Sequence, residues 1–329
     1  MEFSGINASA SAYDAGRRID VHHHYVPPVF KTEVLAKITA SPTGTRQYMP
    51  PMMNWTPEKT LEDMDRGGTA TAMLSITNPG AWVGNQTASR KLAHECNEYA
   101  ARMAADHPGR FGIWTALCLP DVDGSLREIE YGLDVLKADG VGCFTSYDNK
   151  HLGDPAFAPV LEELNRRKAV LYTHPALCPC CAALVPEVNE AIIEYGTDTT
   201  RTVASLLFSG AATKYPDIRF IFSHAGGTMP FLIERFQLWA RRPDKAPQLP
   251  RGVMHEIERF FYDTAQAANA AAMACLRKVI PVSQIVFGTD FPYRTAEEHV
   301  TGLRTCGFSE QELRQIDREN ALRLVPRLQ

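Results

Sequence analysis

The sequence predicts a parallel (β/α)8 TIM barrel, an α/β fold, as a single domain over residues 16–329. Eight short β-rich segments recur along the 329-residue chain, and helical patterns fill most of the gaps between them. Several of these segments are continuous apolar runs, which is expected of parallel strands that are buried on both faces. A hydrophobic content of 45% suffices for one barrel-sized core.

The predicted strands and helices follow from residue type and spacing. The strands are Arg18–His22, Ala70–Ile76, Gly112–Leu119, Gly140–Thr145, Ala169–His174, Arg219–His224, Phe260–Thr264 and Gln284–Gly288. The helices are Pro57–Arg66, Ala88–Asp106, Ser125–Lys137, Pro155–Arg167, Thr200–Lys214, Pro230–Ala240, Ala267–Val279 and Ser309–Leu324. Long connections over residues 25–55 and 178–199 follow the first and fifth strands, and we expect substrate contacts there.

Charge and composition favour a small-molecule partner. The formal net charge is −4, and the absence of a Lys or Arg run argues against a nucleic-acid or membrane surface. Residues 1–15 are small and polar, which predicts a flexible N-terminal arm, and they lack the pattern of a signal peptide. No segment approaches the roughly 18 consecutive apolar residues of a membrane span, so we expect a cytoplasmic protein.

The eight cysteines predict reduced thiols and no disulfide framework. Five are isolated within predicted strands and helices: Cys96, Cys118, Cys143, Cys275 and Cys306. The cluster of Cys178, Cys180 and Cys181 follows the fifth strand, but it lacks a second ligand pair at the spacing of a structural zinc site. We expect thiols that shape a loop, with a metal or redox role as the alternative.

Potential metal ligands stand at the ends of four predicted strands. His22 and His24 are two residues apart, so both imidazoles point to the same side of a strand. His174, His224 and Asp290 end later strands, and the C-terminal ends of all strands meet on one face of a barrel. Imidazole and carboxylate donors make a nitrogen–oxygen site that suits zinc, or manganese or a related divalent ion.

Two neighbours of the histidine pair have other expected roles. His23 points to the opposite side of the strand, and we do not expect it to be a ligand. Asp20 lies on the same side as His22, one step deeper in the barrel. It either orients a ligand histidine by accepting a hydrogen bond or is simply a buried, hydrogen-bonded acid.

The motifs His22-x-His24, His174, His224-Ala-Gly-Gly and Gly288-Thr-Asp290-Phe-Pro resemble the ordered motifs of the amidohydrolase superfamily. The resemblance covers nearly the whole chain after the arm. Within the superfamily, the chain is similar to the decarboxylase branch related to aminocarboxymuconate-semialdehyde decarboxylase. The stretch from Ser223 to Leu232, with Thr199-Thr-Arg201-Thr upstream, most resembles 6-methylsalicylate decarboxylases. Resorcylate decarboxylases carry Glu at the position of His22, so the chain departs from that sub-branch.

The resemblance implies one divalent ion per chain, zinc first and manganese or a related ion second. Binuclear members of the superfamily use a bridging carboxylated lysine at the end of the fourth strand, where this chain reads Thr145-Ser146-Tyr147. The implied ligands are His22, His24, His174 and Asp290. His224 is then released from ligation, and His224 and Asp290 are the implied catalytic residues.

The implied substrate is a small aromatic carboxylic acid with an ortho hydroxyl group, such as 6-methylsalicylate. Arg235 is spaced from His224 as in the aminocarboxymuconate-semialdehyde enzyme, where such an arginine reaches the substrate across a dimer interface. A surface or structural role is the alternative for Arg235. Asn78, Phe291 and Trp55 are candidates for lining the pocket, although aromatic residues in loops often only pack. The resemblance also implies a homodimer or a higher homo-oligomer.

The function predicted first is non-oxidative decarboxylation that releases carbon dioxide and a phenol. A carboxylate and its ortho hydroxyl can chelate one ion, which fixes the ring, while Asp290 or His224 faces the ring carbon as proton donor. One alternative is a metal-dependent hydrolase of a lactone, an amide or a ring-cleavage product. The other is a metal-binding barrel without activity, which the two intact acid–base candidates disfavour.

Overall fold

Eight parallel strands form a barrel in which each strand pairs with the next barrel strand along the chain. The computed structural model describes residues 17–40, 50–177, 179–181 and 184–329, so the arm predicted over residues 1–15 lies outside the described residues. The strands are β1 Arg18–His24, β2 Thr69–Ser75, β3 Phe111–Ala116, β4 Gly140–Phe144, β5 Ser146–Tyr147, β6 Lys150–His151, β7 Val170–His174, β8 Arg219–Phe222, β9 Phe261–Asp263 and β10 Ile285–Val286. Strands β5 and β6 form a separate antiparallel hairpin, and the other eight confirm the predicted barrel.

The barrel closes between β1 and the segment that follows β10. The amide of Val21 donates to the carbonyl of Phe287 at 2.9 Å, and the amide of His24 donates to the carbonyl of Phe291 at 2.9 Å. Between these two bonds, the amide of Asp290 donates to the carbonyl of His22 at 2.9 Å. Closure therefore brings Asp290 beside His22, although 268 positions of sequence (290 − 22) separate them.

Helices cover the outside of the barrel, and several end in tighter or wider turns. The α-helices of the described residues are α1 Pro28–Phe30, α2 Ala36–Ala40, α3 Pro50–Met53, α4 Pro57–Gly67, α5 Gln86–Asp106, α6 Val122–Glu130, α7 Ala158–Arg166, α8 Glu190–Phe208, α9 Ala211–Lys214, α10 Met229–Ala240, α11 Gly252–Ile257, α12 Ala270–Val279, α13 Ala296–Arg304, α14 Glu310–Arg314 and α15 Asn320–Leu324. π-Helical turns occupy Lys31–Leu35, Tyr131–Val135 and Gln315–Glu319. Short 3-10 turns occupy Pro155–Phe157, Pro179–Cys181, His224–Gly226, Ala246–Gln248, Val282–Gln284 and Pro326–Leu328.

Two helices differ from the sequence-based expectation. Helix α8 begins at Glu190, ten positions before the predicted start, because the side chain of Asn189 caps it by accepting from the amide of Ala191 at 3.0 Å. Helix α13 was not predicted at all. Thr295 and Glu298 form a capping box at its start, a signal that is present in the sequence. The first of the predicted helices is confirmed, including its cap: Thr56 accepts from the amide of Lys59 at 3.3 Å.

Large buried side chains fill the barrel beneath its C-terminal end. Tyr172 lies two residues before His174 on β7, and its ring stacks on Trp114 at a centroid distance of 6.1 Å. The indole of Trp114 donates to the carbonyl of Val21 at 2.9 Å. The candidate metal ligands therefore lie directly above closely packed side chains, which limit how far the ligand side chains can move.

The structure agrees with the expectation of reduced cysteines. The cysteines whose side chains the structure describes are free, and all but Cys275 are buried. Cys181 is among the buried ones, whereas Cys178 and the side chain of Cys180 lie outside the described residues. In the described part of the chain, no helix combines the length and apolar character needed to cross a bilayer.

Candidate metal centre

Four predicted ligands converge at the C-terminal end of the barrel. One donor atom from each of His22, His24, His174 and Asp290 lies within 4.8 Å of the others, and all four residues are buried. The Nε2 atoms of His22 and His24 are 3.2 Å apart, and each lies 3.1–3.2 Å from Oδ1 of Asp290. Around an ion with bonds of about 2.0–2.1 Å, neighbouring ligand atoms lie about 3.0–3.4 Å apart. The donor set therefore fits one divalent cation.

Each of the three histidines is held through its other ring nitrogen. Nδ1 of His174 donates to the carbonyl of Pro175 at 2.9 Å, and Nδ1 of His24 lies 3.1 Å from Oγ and 3.3 Å from the carbonyl oxygen of Ser75. Nδ1 of His22 lies 2.8 Å from Oδ2 of Asp263. When a ring carries a single proton, on Nδ1, its Nε2 presents a lone pair to a cation.

Asp263 is a part of this site that the sequence analysis missed. Asp263 is the last residue of β9, and its Oδ2 is hydrogen-bonded to the ring of His22. Its Oδ1 accepts from the backbone amides of His224 and Ala265 at 2.8 and 3.0 Å. One carboxylate thus orients a ligand histidine and fixes the turn that carries His224. Its position at the end of a predicted strand was the available signal.

The charges of the four-residue group favour metal binding. Burial alone would lower the pKa of His22, but the carboxylates of Asp263 and Asp290 outweigh burial and raise this pKa to about 10. Burial lowers the pKa of His24 and holds that of His174 well below its ordinary value. Burial alone would raise the pKa of Asp290, but His22 and the other histidines hold it well below its ordinary value. The group therefore offers an ionised carboxylate and two neutral imidazoles, and His22 carries a proton that a cation would displace.

His224 lies next to the four-residue group and not within it. Its Nε2 is 3.4 Å from Oδ2 of Asp290, and its Nδ1 is buried without a hydrogen-bond partner among the described residues. His224 and Ala225 both adopt left-handed backbone conformations, with φ of 53° and 57°. A side chain at Gly227 would bring its Cβ within 2.0 Å of the carbonyl oxygen of Gly196. The His-Ala-Gly-Gly motif is therefore a backbone requirement of this turn as well as a source of its histidine.

The second oxygen of Asp290 has a donor that the sequence analysis missed. The side-chain amide of Gln266 donates to Oδ2 of Asp290 at 2.8 Å. Oδ1 of the same carboxylate faces the Nε2 atoms of His22 and His24. The two oxygens therefore face different partners, one toward the metal ligands and one toward His224 and Gln266.

His23 and Asp20 form a separate buried pair on the other side of β1, so the expectation that Asp20 lies on the side of His22 is wrong: the strand is irregular between Asp20 and His23, which breaks the simple alternation of sides. Nδ1 of His23 lies 2.9 Å from Oδ2 of Asp20, and its ring stacks on Phe291 at a centroid distance of 4.6 Å. Asp20 also accepts from the amides of His22 and Thr289, both at 3.0 Å. As expected, His23 is not part of the four-residue group. Of the two expectations for Asp20, the structure supports the hydrogen-bonded acid, because Asp263 orients the ring of His22.

Asn78 lies close to the group through Tyr195. The side chain of Asn78 lies next to that of Tyr195, and Tyr195 is parallel to the ring of His224 at 6.5 Å and edge-on to His174 at 5.9 Å. The ring of Tyr293 lies 6.2 Å from the ring of His24. Both tyrosines are half-buried, and burial raises the pKa of each. Two neutral phenol groups therefore lie next to the histidines of the site.

The other three predicted substrate residues have different surroundings. Arg235 is exposed on helix α10. Trp55 is buried in the main hydrophobic core, and Phe291 packs on His23. The substrate roles of these three residues stay predictions.

Thr145, which directly follows β4, stands where a bridging lysine would be expected, and its hydroxyl has a structural partner. Its hydroxyl donates to the buried carboxylate of Asp198 on α8, which also accepts from Ser146 at 2.9 Å and lies 3.0 Å from Nε2 of His151. The amide of Ala176, two residues after His174, donates to the hydroxyl of Thr145 at 2.9 Å. These bonds tie the end of β4 to the segment after His174 and provide no second metal ligand from Thr145.

Comparisons with known proteins agree with this geometry. The model of the Amidohydrolase family matches residues 19–327. The chain belongs to this family. The 6-methylsalicylic acid decarboxylase of Aspergillus aculeatus is 36% identical over 327 residues, which span 94% of the chain and 96% of the relative. A decarboxylase of Aspergillus niger is 35% identical over 332 residues, 95% of the chain and 88% of the relative. Within the family, the chain therefore belongs to the decarboxylase branch.

A solved structure supports the fold assignment. The 5-carboxyvanillate decarboxylase of Novosphingobium aromaticivorans, complexed with manganese and 4-hydroxy-3-methoxy-5-nitrobenzoic acid, has a TM-score of 0.83 at 20% identity. The match covers 95% of the chain and 97% of that structure. At this identity the comparison establishes a shared amidohydrolase barrel.

Proposed function

We propose that the protein is a metal-dependent, non-oxidative decarboxylase of an ortho-hydroxy aromatic acid such as 6-methylsalicylate, releasing carbon dioxide and a phenol. One observation carries the proposal: a buried group of His22, His24, His174 and Asp290, with His224 beside it. The full-length similarity to fungal decarboxylases, one of which acts on 6-methylsalicylic acid, supports this substrate class.

The proposed cofactor is one divalent ion per chain, held by these four ligands. Three imidazole nitrogens and one carboxylate favour zinc, and manganese is the alternative because a similar structure contains it. When bound, the ion would supply electrostatic attraction for the carboxylate and ortho hydroxyl of the substrate. Asp263, Ser75 and the carbonyl of Pro175 would keep the three ligand rings in place for it.

The aromatic ring would enter beside His174, where the structure has room for only about one water molecule, so side chains would have to move to admit the ring. A cavity there is lined mainly by apolar side chains, including Ile76, Leu117 and Phe144. Asn78 lies next to Tyr195, which contacts His174, so it would supply a polar group near the ring. An apolar pocket with few polar groups suits a single substituted ring.

Decarboxylation requires a proton on the ring carbon that loses the carboxylate. His224 and Asp290 are the proposed carriers, because Nε2 of His224 and Oδ2 of Asp290 lie side by side at the edge of the ligand group. The half-buried rings of Tyr195 and Tyr293 would limit the access of water to this position.

We also propose a homodimer that buries the exposed face of helices α8 and α10. Large apolar side chains of Ile192, Phe231 and Leu238 are 77%, 83% and 64% exposed on these neighbouring helices. Exposed apolar side chains clustered in this way are typical of interfaces. Arg235 lies on the same helix as Phe231, which supports a substrate contact across the interface. The cytoplasmic location stays a prediction.

The decisive experiment is a substrate panel with the metal-loaded protein. We expect carbon dioxide release from 2-hydroxybenzoates, including 6-methylsalicylate, and a rate at least about a hundredfold lower from 3-hydroxybenzoates. A 3-hydroxybenzoate can bind the ion through its carboxylate only, so its ring is no longer fixed next to the proton donor. Equal turnover of both isomers would remove the chelation model. Hydrolysis of a lactone panel without carbon dioxide release would favour the hydrolase alternative instead.

A further inference from the structure

Gln266 holds the free oxygen of Asp290 more tightly than any other described side chain. Its amide donates to Oδ2 at 2.8 Å, within the ordinary range of an N–H···O bond, whereas Nε2 of His224 lies at 3.4 Å, beyond that range. The ionised carboxylate is an acceptor only, so the amide nitrogen, and not its oxygen, faces Asp290.

The carboxylate needs such a partner because its own torsion is soft. The final torsion of an aspartate side chain is broad and two-fold, so contacts at one oxygen leave the plane of the carboxylate poorly fixed. His22 and His24 contact Oδ1 only. The bond from Gln266 to Oδ2 therefore decides how Asp290 is turned between the ligand histidines and His224.

Gln266 is itself held in an unusual backbone conformation. Its φ is 55°, in the left-handed region, where a residue with a side chain is disfavoured. The backbone amide of Gln266 donates to Nε2 of His299 at 3.1 Å, and Nδ1 of His299 donates to the carbonyl of Thr295 at 3.0 Å. This pattern requires a neutral imidazole, which agrees with the lowering of the His299 pKa by burial.

Helix α13 therefore supports the Asp290 carboxylate indirectly. His299 of the helix accepts from the backbone amide of Gln266, and the side chain of Gln266 donates to Asp290. His299 lies in the first turns of α13 and Thr295 is its N-cap, while Gln266 lies in the turn after β9. Gln266 is exposed despite its bond to the buried Asp290. An exposed residue in a disfavoured conformation, locked by a buried histidine, indicates a functional constraint more than a packing one.

We propose that Gln266, locked by His299, is a positioning residue that sets the orientation of the Asp290 carboxylate in the metal centre. The proposal rests on the proposed metal-dependent decarboxylation. Gln266 acts through Asp290 and needs no contact of its own with the substrate.

The test replaces Gln266 by residues of similar size without the donor. Gln266→Met keeps the length and loses the hydrogen bond, and Gln266→Glu adds a second carboxylate facing Asp290. We expect Gln266→Met to lower kcat for 6-methylsalicylate by about tenfold to a hundredfold, with KM within about twofold, and to weaken Mn²⁺ affinity by about tenfold. Gln266→Glu should lower kcat further, because like charges then face each other.

A matched control separates positioning from stability. Gln311→Met makes the same exchange at an exposed position of helix α14 and should leave kcat and Mn²⁺ affinity unchanged. Gln266→Asn, which is too short to reach Asp290, replaces Gln266→Met if the latter fails to fold, and it should show the same losses. Wild-type kcat and Mn²⁺ affinity in Gln266→Met would overturn the proposal, as would a rise in KM alone.

The two proposals fail in different ways. If the wild-type protein releases carbon dioxide from no hydroxybenzoate, the proposed substrate class is wrong. The Mn²⁺ affinities of the wild-type protein and Gln266→Met, measured by calorimetry, still decide the role of Gln266, since this readout requires no turnover.

Discussion

Three consecutive histidines of β1 are equally buried, yet the two sides of the strand do different things. His22 and His24 point to the interior, where their Nε2 atoms meet Oδ1 of Asp290. His23 points outward, bonds to Asp20 and stacks on Phe291. Each has its Nδ1 near an oxygen acceptor, so burial and a fixed ring do not distinguish a ligand from a structural histidine. The distinguishing feature is that other donor atoms converge on Nε2, which is found on the inner side only.

The largest effect is expected from a change on the inner side, at His174. His174→Ala leaves three of four donors, so we expect the metal content to fall below about one ion in ten chains and turnover to fall to background. Metal analysis by mass spectrometry and a carbon dioxide assay give the answer. A fully metal-loaded His174→Ala variant would show that His174 is not a ligand.

A smaller effect is expected from His224, beside the ligand group. His224→Ala should keep about one ion per chain and lose about 10²–10⁴-fold in kcat, because it removes a proton carrier and no ligand. Metal analysis and kinetics of the same preparation are needed together. If this variant came out metal-free, His224 would have to be counted among the ligands.

Metal affinity should depend on pH through the inner histidine His22. Its raised pKa, about 10 without metal, means that it holds a proton at neutral pH, and a cation must displace that proton. Affinity should therefore rise about tenfold per pH unit between pH 7 and 9, and level off above the pKa of His22. Calorimetry in buffers of different ionisation enthalpy should report about one proton released per ion. An affinity independent of pH would contradict the protonated state of His22.

The smallest effect on activity is expected on the outer side, at His23. His23→Phe keeps an aromatic ring for Phe291 and removes the hydrogen bond to Asp20. We expect a loss of about 1–3 kcal/mol in the free energy of unfolding, with metal content and kcat within about twofold of wild type. Chemical denaturation and metal analysis measure the two effects separately. Loss of the metal in this variant would mean that the two sides of β1 are not independent.

Much of the fold, and the convergence of the four candidate ligands, could be predicted because both depend on local patterns. Continuous apolar runs identified the barrel strands, and a two-residue spacing placed His22 and His24 on one side of β1. Helix α13 and the early start of α8 were missed, although Thr295 with Glu298 was a visible capping signal. In α8, Gly196 and the threonines that follow it have low helix propensity, and the packing of the helix outweighs that propensity.

By itself, the sequence determined the barrel and the residues that end its strands, because side-chain alternation and parallel strand ends are properties of the backbone. Only the tertiary structure decided that Asp263 orients His22 and that the side chain of Gln266 donates to the second oxygen of Asp290. These choices depend on side-chain rotamers and on contacts between distant parts of the chain. Barrel closure sets those contacts, and no local pattern encodes them.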